Sequence, residues 1–307
     1  MRDEFQISAH DVPQTQNFGT SFRISFYDIQ KTSKWIATPK ISTSTRYLMI
    51  IQIRPENYNR RRIFRETIMS PKYSKVIEEG LMSFVFVCGK NVENEDINAN
   101  LRKEAQIFGD ILITEMTDSY LTLPFKVLSS LLFAVSFENV EIIGKYDEDV
   151  LLFPDQIFDY FEEHNNSTRS VALFGDLLSG NSKVNHNPKQ PFYIPYDSYK
   201  CLYYAEYIAG PIYFMTKLAA KKILAISKYR KFISVEDCLI TGLYAMDINA
   251  EMIKIPNMFQ NNKDTTDLDE SPLFTWHNQK SDEDFANSFL KMINYRCKPC
   301  RKINEKE

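Results

Sequence analysis

A chain of 307 residues with 44% hydrophobic composition is long enough to bury one large core or two coupled ones. Its net charge of −3, its pI near 5.9 and the lack of any long basic face or charge block exclude non-specific nucleic-acid binding. No apolar run approaches the roughly 18 to 20 residues that span a bilayer, and residues 1–30 lack a basic start followed by an apolar stretch, so no secretory signal is visible.

Residues 1–45 mix polar and aromatic positions without a sustained period and read as an arm or stem. Tyr47–Ile53 is uniformly apolar, as buried parallel strands are, and is the first strand. Arg60, Arg61, Arg62 and Arg65 follow, in a loop leading into a helix by this reading. Such a cluster forms either a solvated helix face or a diphosphate clamp built from charge-assisted forks. Met82–Cys88 is a second strand closed by Gly89, residues 94–108 a helix with Leu101, Ala105 and Phe108 inward, and Asp110–Thr114 a third strand. From Leu123 to Phe137, Val127, Leu128, Leu131, Leu132 and Val135 recur at helical spacing, with Thr122 as cap and Pro124 in the first turn. A strand follows at 140–146. Strands alternating with helices over this span predict an α/β fold, a mainly parallel sheet with helices on both faces.

After that strand come Asp147, Glu148 and Asp149, and then the apolar run Val150–Phe153. Three adjacent carboxylates repel at neutral pH, and a divalent cation relieves the repulsion; hard oxygen ligands suit Mg²⁺ or Mn²⁺. In an extended segment side chains at i and i+2 point the same way, so Asp147 and Asp149 can face one ion. The same letters recur at 282–284 after Ser281, a helix start, and the same spacing at Asp267 and Asp269 in a polar loop. Only the copy at 147–149 follows a buried strand, where α/β folds place ligands. A solvated turn is the rival reading.

Further on, Pro154 starts a helix to Glu163, Ser170–Leu178 is a strand, and 181–200 is a loop long enough to suggest a binding segment. Tyr207–Thr216 contains Ala209-Gly210-Pro211 and leads into a helix over Lys217–Ser227. Ser234-Val-Glu236-Asp237 precedes a helix through Met246, where Asp237 by itself reads as a helix cap. Glu251–Ile255 and Phe274–His277 are strands, and Ser281–Tyr295 is the last helix. Taken alone, His277 beside Trp276 reads as a hydrogen-bonded, half-buried residue, Lys126 as a solvated helix position, and Gly210 as a need of the backbone. Five cysteines leave an odd thiol if disulfides form, and the lone Cys297-Lys-Pro-Cys300 reads as a local disulfide or free thiols rather than zinc. The sequons at Asn165 and Asn166 matter only in a secretory lumen. No GxxxxGK[ST] or GxGxxG occurs. The organisation expected is an arm (1–45), one domain over 46–290 in two halves (46–150 and 151–290), and a polar tail (291–307).

Six segments, in order, resemble the inverting β-1,3-galactosyltransferase family, which includes relatives of Fringe. They are Arg60-Arg-Arg-Ile-Phe-Arg65-Glu-Thr67; Phe84-Val-Phe-Val-Cys-Gly89; Glu104 through Asp110 with Asp118-Ser-Tyr120-Leu-Thr-Leu-Pro-Phe-Lys126; Tyr146-Asp-Glu-Asp149-Val; Tyr207-Ile-Ala-Gly210-Pro-Ile-Tyr213; and Val235-Glu236-Asp237-Cys-Leu-Ile-Thr-Gly242, followed by Trp276-His277. The match covers roughly 46–278, about three quarters of the chain. The resemblance implies a GT-A nucleotide-sugar transferase that uses a UDP-sugar and Mn²⁺ (or Mg²⁺) to build a β-1,3 linkage on a glycan, with galactose or N-acetylglucosamine as donor sugar. It makes 46–150 a nucleotide-sugar half and 151–290 an acceptor half. It implies Asp149 and His277 at the metal, and Arg61, Arg65, Lys126, Asp147 and Glu148 on the nucleotide-sugar side. Gly210 and Glu236 fall on the acceptor side, with Asp237 as the general base of a single inverting displacement.

The departures from the family pattern are Glu148 in place of Asp, Ile68 in place of Trp, Thr122-Leu123-Pro124 before the lysine, and Pro211 after Gly210. They motivate the alternative of a catalytically silent member serving as a binding or folding partner. The family implies a Golgi location and an N-terminal membrane helix, and none is visible here. The expectation is therefore either an incomplete N-terminus or a divergent soluble member.

Overall fold

The computed structural model describes residues 35–164, 170–227, 233–256, 258–260 and 274–304. Residues 1–34 of the expected arm, the sequons at Asn165 and Asn166, the Asp267–Asp269 pair and the side chains of Cys297 and Cys300 lie outside the described residues. The strands are β1 Trp35–Ala37, β2 Tyr47–Gln52, β3 Met82–Lys90, β4 Ile111–Thr117, β5 Ile142–Asp147, β6 Leu151–Leu152, β7 Ala172–Leu178, β8 Tyr207–Thr216, β9 Glu251–Lys254, β10 Phe259–Gln260 and β11 Thr275–Trp276. The helices that frame the site are α1 Tyr58–Glu66, α2 Glu95–Phe108, α3 Leu123–Ala134, α4 Pro154–Glu163, α5 Lys217–Ile226 and α6 Asp282–Asn304.

One sheet of 8 strands runs in the order β1-β4-β3-β2-β5-β8-β7-β9, and β10-β11-β6 form a small second sheet. Side chains alternate across β2: Leu48 and Ile50 enter one core with α3 and α5, while Tyr47, Met49 and Ile51 enter the other with Phe64 of α1, Phe161 of α4 and Phe285 of α6. Both faces of the sheet are covered, which is why its central strands read as unbroken apolar runs. Gly109 ends α2 in the left-handed region at φ 66°, donating its amide to Ala105.

The sheet is mainly parallel, as expected, with β1 and β8 alone running against the other strands of the large sheet. Strand β2 runs parallel to β3 and β5, β3 to β4, and β7 to β9, but β8 is antiparallel to both β5 and β7, and β1 to β4. Apolar runs report burial and not direction, so the reversal after Asp147 left no mark in the pattern. Several finer expectations need correcting. Strand β1 pairs with β4, so the domain begins inside the expected arm. The expected halves share one sheet through β5 and β8. Helix α6 continues to Asn304, through most of the expected polar tail. The arginine cluster sits on helix α1 itself, not on a loop before it. Phe108 is 48% exposed and forms a platform for the Arg65 guanidinium, 3.9 Å from its centroid. The helix after Asp237 is π-helical over Cys238–Tyr244, a geometry concentrated at functional sites. No helix among the described residues is long and apolar enough to cross a membrane.

Candidate active site

A cavity of about 1000 Å³ opens beyond the carboxyl ends of β2, β3 and β5 and is lined by Arg54, Arg60, Lys126, Asp147, Glu148 and Asp149 among others. The acidic segment that opens it is not extended. Asp147 ends β5, and the chain turns at once, Val150 donating its amide to the Asp147 carbonyl. The turn replaces the extended geometry assumed for the i, i+2 pair and gives each carboxylate a different nearest partner, although all three line the cavity.

Glu148 accepts from Asn57 Nδ2 at 2.7 Å, and burial raises its carboxyl above the ordinary value while Asn57 opposes the shift. Asp147 accepts from Lys145 Nζ at 2.6 Å, and burial, opposed by Lys145, raises its carboxyl as well. Asp149 faces His277 instead: Nε2 lies 3.7 Å from Oδ2. The small sheet causes this meeting. Strand β6, just after the acidic turn, pairs antiparallel with β11, just before His277, and Gln279 donates its amide to the Asp149 carbonyl.

Arg60 clasps the two segments together. It donates to the carbonyls of Glu148 (2.6 Å), Gln279 (3.0 Å) and Lys280 (3.1 Å), and to Asp282 Oδ1 (2.7 Å). Burial lowers the His277 pKa, so its imidazole is neutral at neutral pH, the form that ligates metals. A carboxylate oxygen beside a neutral imidazole is a mixed donor pair that suits Mn²⁺ better than Mg²⁺, whose preferred ligands are oxygens alone. The ammonium of Lys280, on a side chain 71% exposed, rests against Asp149 as a stand-in cation. Asp149 and His277 can thus supply two donors to a divalent ion; among the described residues no group of three or more His, Cys, Asp or Glu side chains is placed to hold one.

Two residues expected at the nucleotide point elsewhere. Arg61 is 1% exposed and forks onto Glu104 at 2.7–3.1 Å, while Arg65 bridges Glu104 (2.7 Å) and Asp110 (2.7 and 2.9 Å). Neither lines the cavity; Arg54 and Arg60 do. Arg61 and Arg65 are one helical turn apart and share the face of α1 that meets α2, and the i, i+4 spacing with a Glu inside the next helix was the signal for this. Lys126, read alone as a solvated position, is buried, lines the cavity and pairs with Asp118 at 3.0 Å; Asp118 also accepts from the Gly89 amide at 2.7 Å.

A second cavity, of about 1020 Å³, adjoins the first, and Asp147, Tyr120 and Leu123 line both. On its wall lies a residue the sequence reading passed over. Lys145 is a lone ammonium in an apolar strand, 2% exposed, donating to Asp147 Oδ1 and to the Gly210 carbonyl, each at 2.6 Å, with Glu236 Oε2 at 3.4 Å. A lysine in the middle of Ile-Ile-Gly-Lys-Tyr-Asp was itself the clue, since strands buried on both faces exclude unpaired charge. Tyr213 donates to the other oxygen of Glu236 at 2.5 Å, and burial pushes the Glu236 carboxyl up to about 7 against the pull of Lys145. Glu236 lines the cavity, yet both of its oxygens turn into the wall.

Asp237 is different. The Cys238 amide donates to its Oδ1 at 2.9 Å, so the helix-cap reading is correct for one oxygen. Oδ2 lies over Gly210, where a Cβ atom would stand 2.8 Å from it. Burial raises the Asp237 carboxyl, while Lys145 and the Cys238 and Gly210 amides favour its ionised form. Gly210 is small because Asp237 occupies the space. Gly210→Ala should therefore displace the carboxylate and lower any turnover that depends on it about 10- to 100-fold, with the melting temperature close to wild type; a variant as active as wild type would sink this reading. The departures at 68 and 122 have local explanations: Ile68 is buried in the core, and Thr122 closes a capping box with Ser119. Pro211 lines the second cavity beside Gly210.

Residues 59–256 match the family model described as Galactosyltransferase. The chain is 36% identical over 306 residues to β-1,3-galactosyltransferase bre-2 of Caenorhabditis elegans, covering 98% of this chain and 85% of that protein. It is 25% identical over 201 residues to the lactosylceramide 1,3-N-acetyl-β-D-glucosaminyltransferase of Rattus norvegicus, covering 64% of this chain and 53% of that one. Among solved structures, mouse xyloside xylosyltransferase 1 in its apo form superposes with a TM-score of 0.36 at 11% identity, over 77% of this chain and 98% of that one. On the family model and the near full-length relative, this chain belongs to the galactosyltransferase family and is a galactosyltransferase-like enzyme.

Proposed function

We propose that this protein transfers a hexose, galactose or N-acetylglucosamine, from a UDP-sugar to a glycan hydroxyl in β-1,3 linkage, with inversion at the anomeric carbon. The observation that carries the reading is the adjacency of the two cavities: Asp149 and His277 stand on one side of Asp147, and the Asp237 carboxylate on the other. The activities for which the two relatives are named support the linkage and the choice of sugar.

In this reading the first cavity holds the nucleotide. Arg54, Arg60 and Lys126 offset the charge of the diphosphate, and Asp147 lies where a ribose or base would be met. Asp149 and His277 would hold Mn²⁺ or Mg²⁺, which when bound supplies Lewis-acid stabilisation of the departing diphosphate. Asp237 takes the proton from the acceptor hydroxyl while that oxygen attacks from the face opposite the leaving group, and one base suffices for a single displacement. Glu236, held by Tyr213 and Lys145, keeps the helix start that carries Asp237 in place. Residence in the Golgi lumen is part of the proposal and rests on the family alone.

Calorimetry with UDP tests the nucleotide site. The wild type should bind UDP with Mn²⁺ at least tenfold more tightly than without, and Asp149→Ala should lose that increment. A silent partner protein is the alternative, and the observation on its side is the Lys280 ammonium at Asp149. A folded wild type that binds no UDP and hydrolyses no UDP-sugar would establish it.

A further inference from the structure

The loop between β7 and β8, residues 179–206, covers the second cavity with side chains that none of the assignments above employs. Phe192 is 60% exposed and meets Tyr120, itself 46% exposed, edge to face at 5.6 Å between centroids and 69° between planes. Both rings line the cavity that contains Asp237, alongside His186, Asn187 and Gln190. Tyr120 and Asp237 line the same cavity, and the Tyr120 phenol is pushed up by burial and by the Asp237 and Glu236 carboxylates. Phe192 also has φ 59° in a turn following Pro191, a conformation that turns of this sense reserve for glycine or asparagine. A large apolar side chain that gains little burial and occupies a disfavoured backbone conformation is poorly explained by stability. Strain of this kind gathers where a ligand is held.

We infer that Tyr120 and Phe192 form a stacking platform for a pyranose ring of the acceptor glycan at the mouth of the Asp237 cavity. The inference rests on the transferase reading and extends it to the acceptor. Uncharged rings flanked by imidazole and amide groups suit a neutral sugar, whose C–H face stacks on an aromatic ring while its hydroxyls find polar partners at the edge. Lys183 lines the same cavity, but the Asp237 and Glu236 carboxylates there disfavour a phosphate or a carboxylate. Tyr120 also borders the nucleotide cavity, so a ring stacked there lies between the donor pocket and the base.

Saturation-transfer NMR on protein loaded with UDP and Mn²⁺, with lactose and N,N′-diacetylchitobiose as probes, tests the platform. The wild type should show transfer to the ring C–H protons of at least one disaccharide. Phe192→Gly should weaken that binding about fivefold, and Tyr120→Ala by at least as much. Because glycine accepts the backbone angle, Phe192→Gly should melt at or above the wild-type temperature, whereas a packing residue would lower it. A lowered melting temperature with unchanged sugar binding overturns the inference. So does a wild type that binds UDP·Mn²⁺ but neither disaccharide. Failure to bind UDP·Mn²⁺ at all would instead remove the transferase reading, and the inference with it.

Discussion

Asp237→Asn should lower sugar transfer by about 10²- to 10⁴-fold, the range expected when a positioned general base is lost, with UDP affinity close to wild type. The amide keeps the shape and keeps an oxygen to accept from the Cys238 amide, so the fold should survive. The pH dependence follows from the same carboxyl. A base works only when ionised, so kcat/KM should fall as pH drops through the Asp237 pKa, which burial places above the ordinary value of 3.8. Lys145 opposes that rise. Lys145→Met should therefore move the acid limb to higher pH, because the cation that favours the carboxylate is gone. The titratable groups around Asp237 are Lys145 and Asp147 from β5, Tyr213 from β8, Glu236 and Cys238 on either side of it in sequence, and the Tyr120, Tyr204 and Tyr207 phenols. A pH profile unchanged by Lys145→Met, or an Asp237→Asn enzyme with wild-type transfer, would remove Asp237 from the role of base.

Arg61→Ala should destabilise the protein by about 3–5 kcal/mol, measured by urea unfolding, because it leaves the Glu104 carboxylate buried with half of its partners gone. Arg62→Ala, one position along but on the exposed side of α1, should change stability by less than about 0.5 kcal/mol. The folded fraction of Arg61→Ala should bind UDP as the wild type does, since the side chain does not reach the nucleotide cavity. Loss of UDP binding without loss of stability would return Arg61 to the donor site that the family resemblance implies.

This contrast shows where a sequence stops being informative. The four arginines at 60, 61, 62 and 65 are alike in chemistry, and only their angular positions on α1 separate a clasp across the acidic turn, a buried pair with Glu104, a solvated pair with Glu66 and a bridge to Asp110. The angles follow from helical geometry, but which neighbour lies at each angle is a tertiary fact. The helix from Leu123 was legible because burial on one side imposes a period of 3.6 on apolar residues, the strands at 47–52 and 82–90 because burial on both faces leaves an unbroken apolar run, and the terminal helix at 282 because Ser281 marks its start.

By itself, then, the sequence determined the α/β layering, the order of its central elements and the chemical inventory of the site: carboxylates at 147–149 and 236–237, a lysine at 126, a histidine at 277 and a glycine at 210. The tertiary structure decided the rest. It turned Asp147 toward Lys145 and Asp149 toward His277, through the pairing of β6 with β11 across more than a hundred residues. It also set Asp237 over Gly210, where the missing Cβ makes room for a carboxylate. Periodicity is a local consequence of burial and can be read along the chain. Which side chain faces which depends on strand direction and long-range pairing, and no local pattern encodes them.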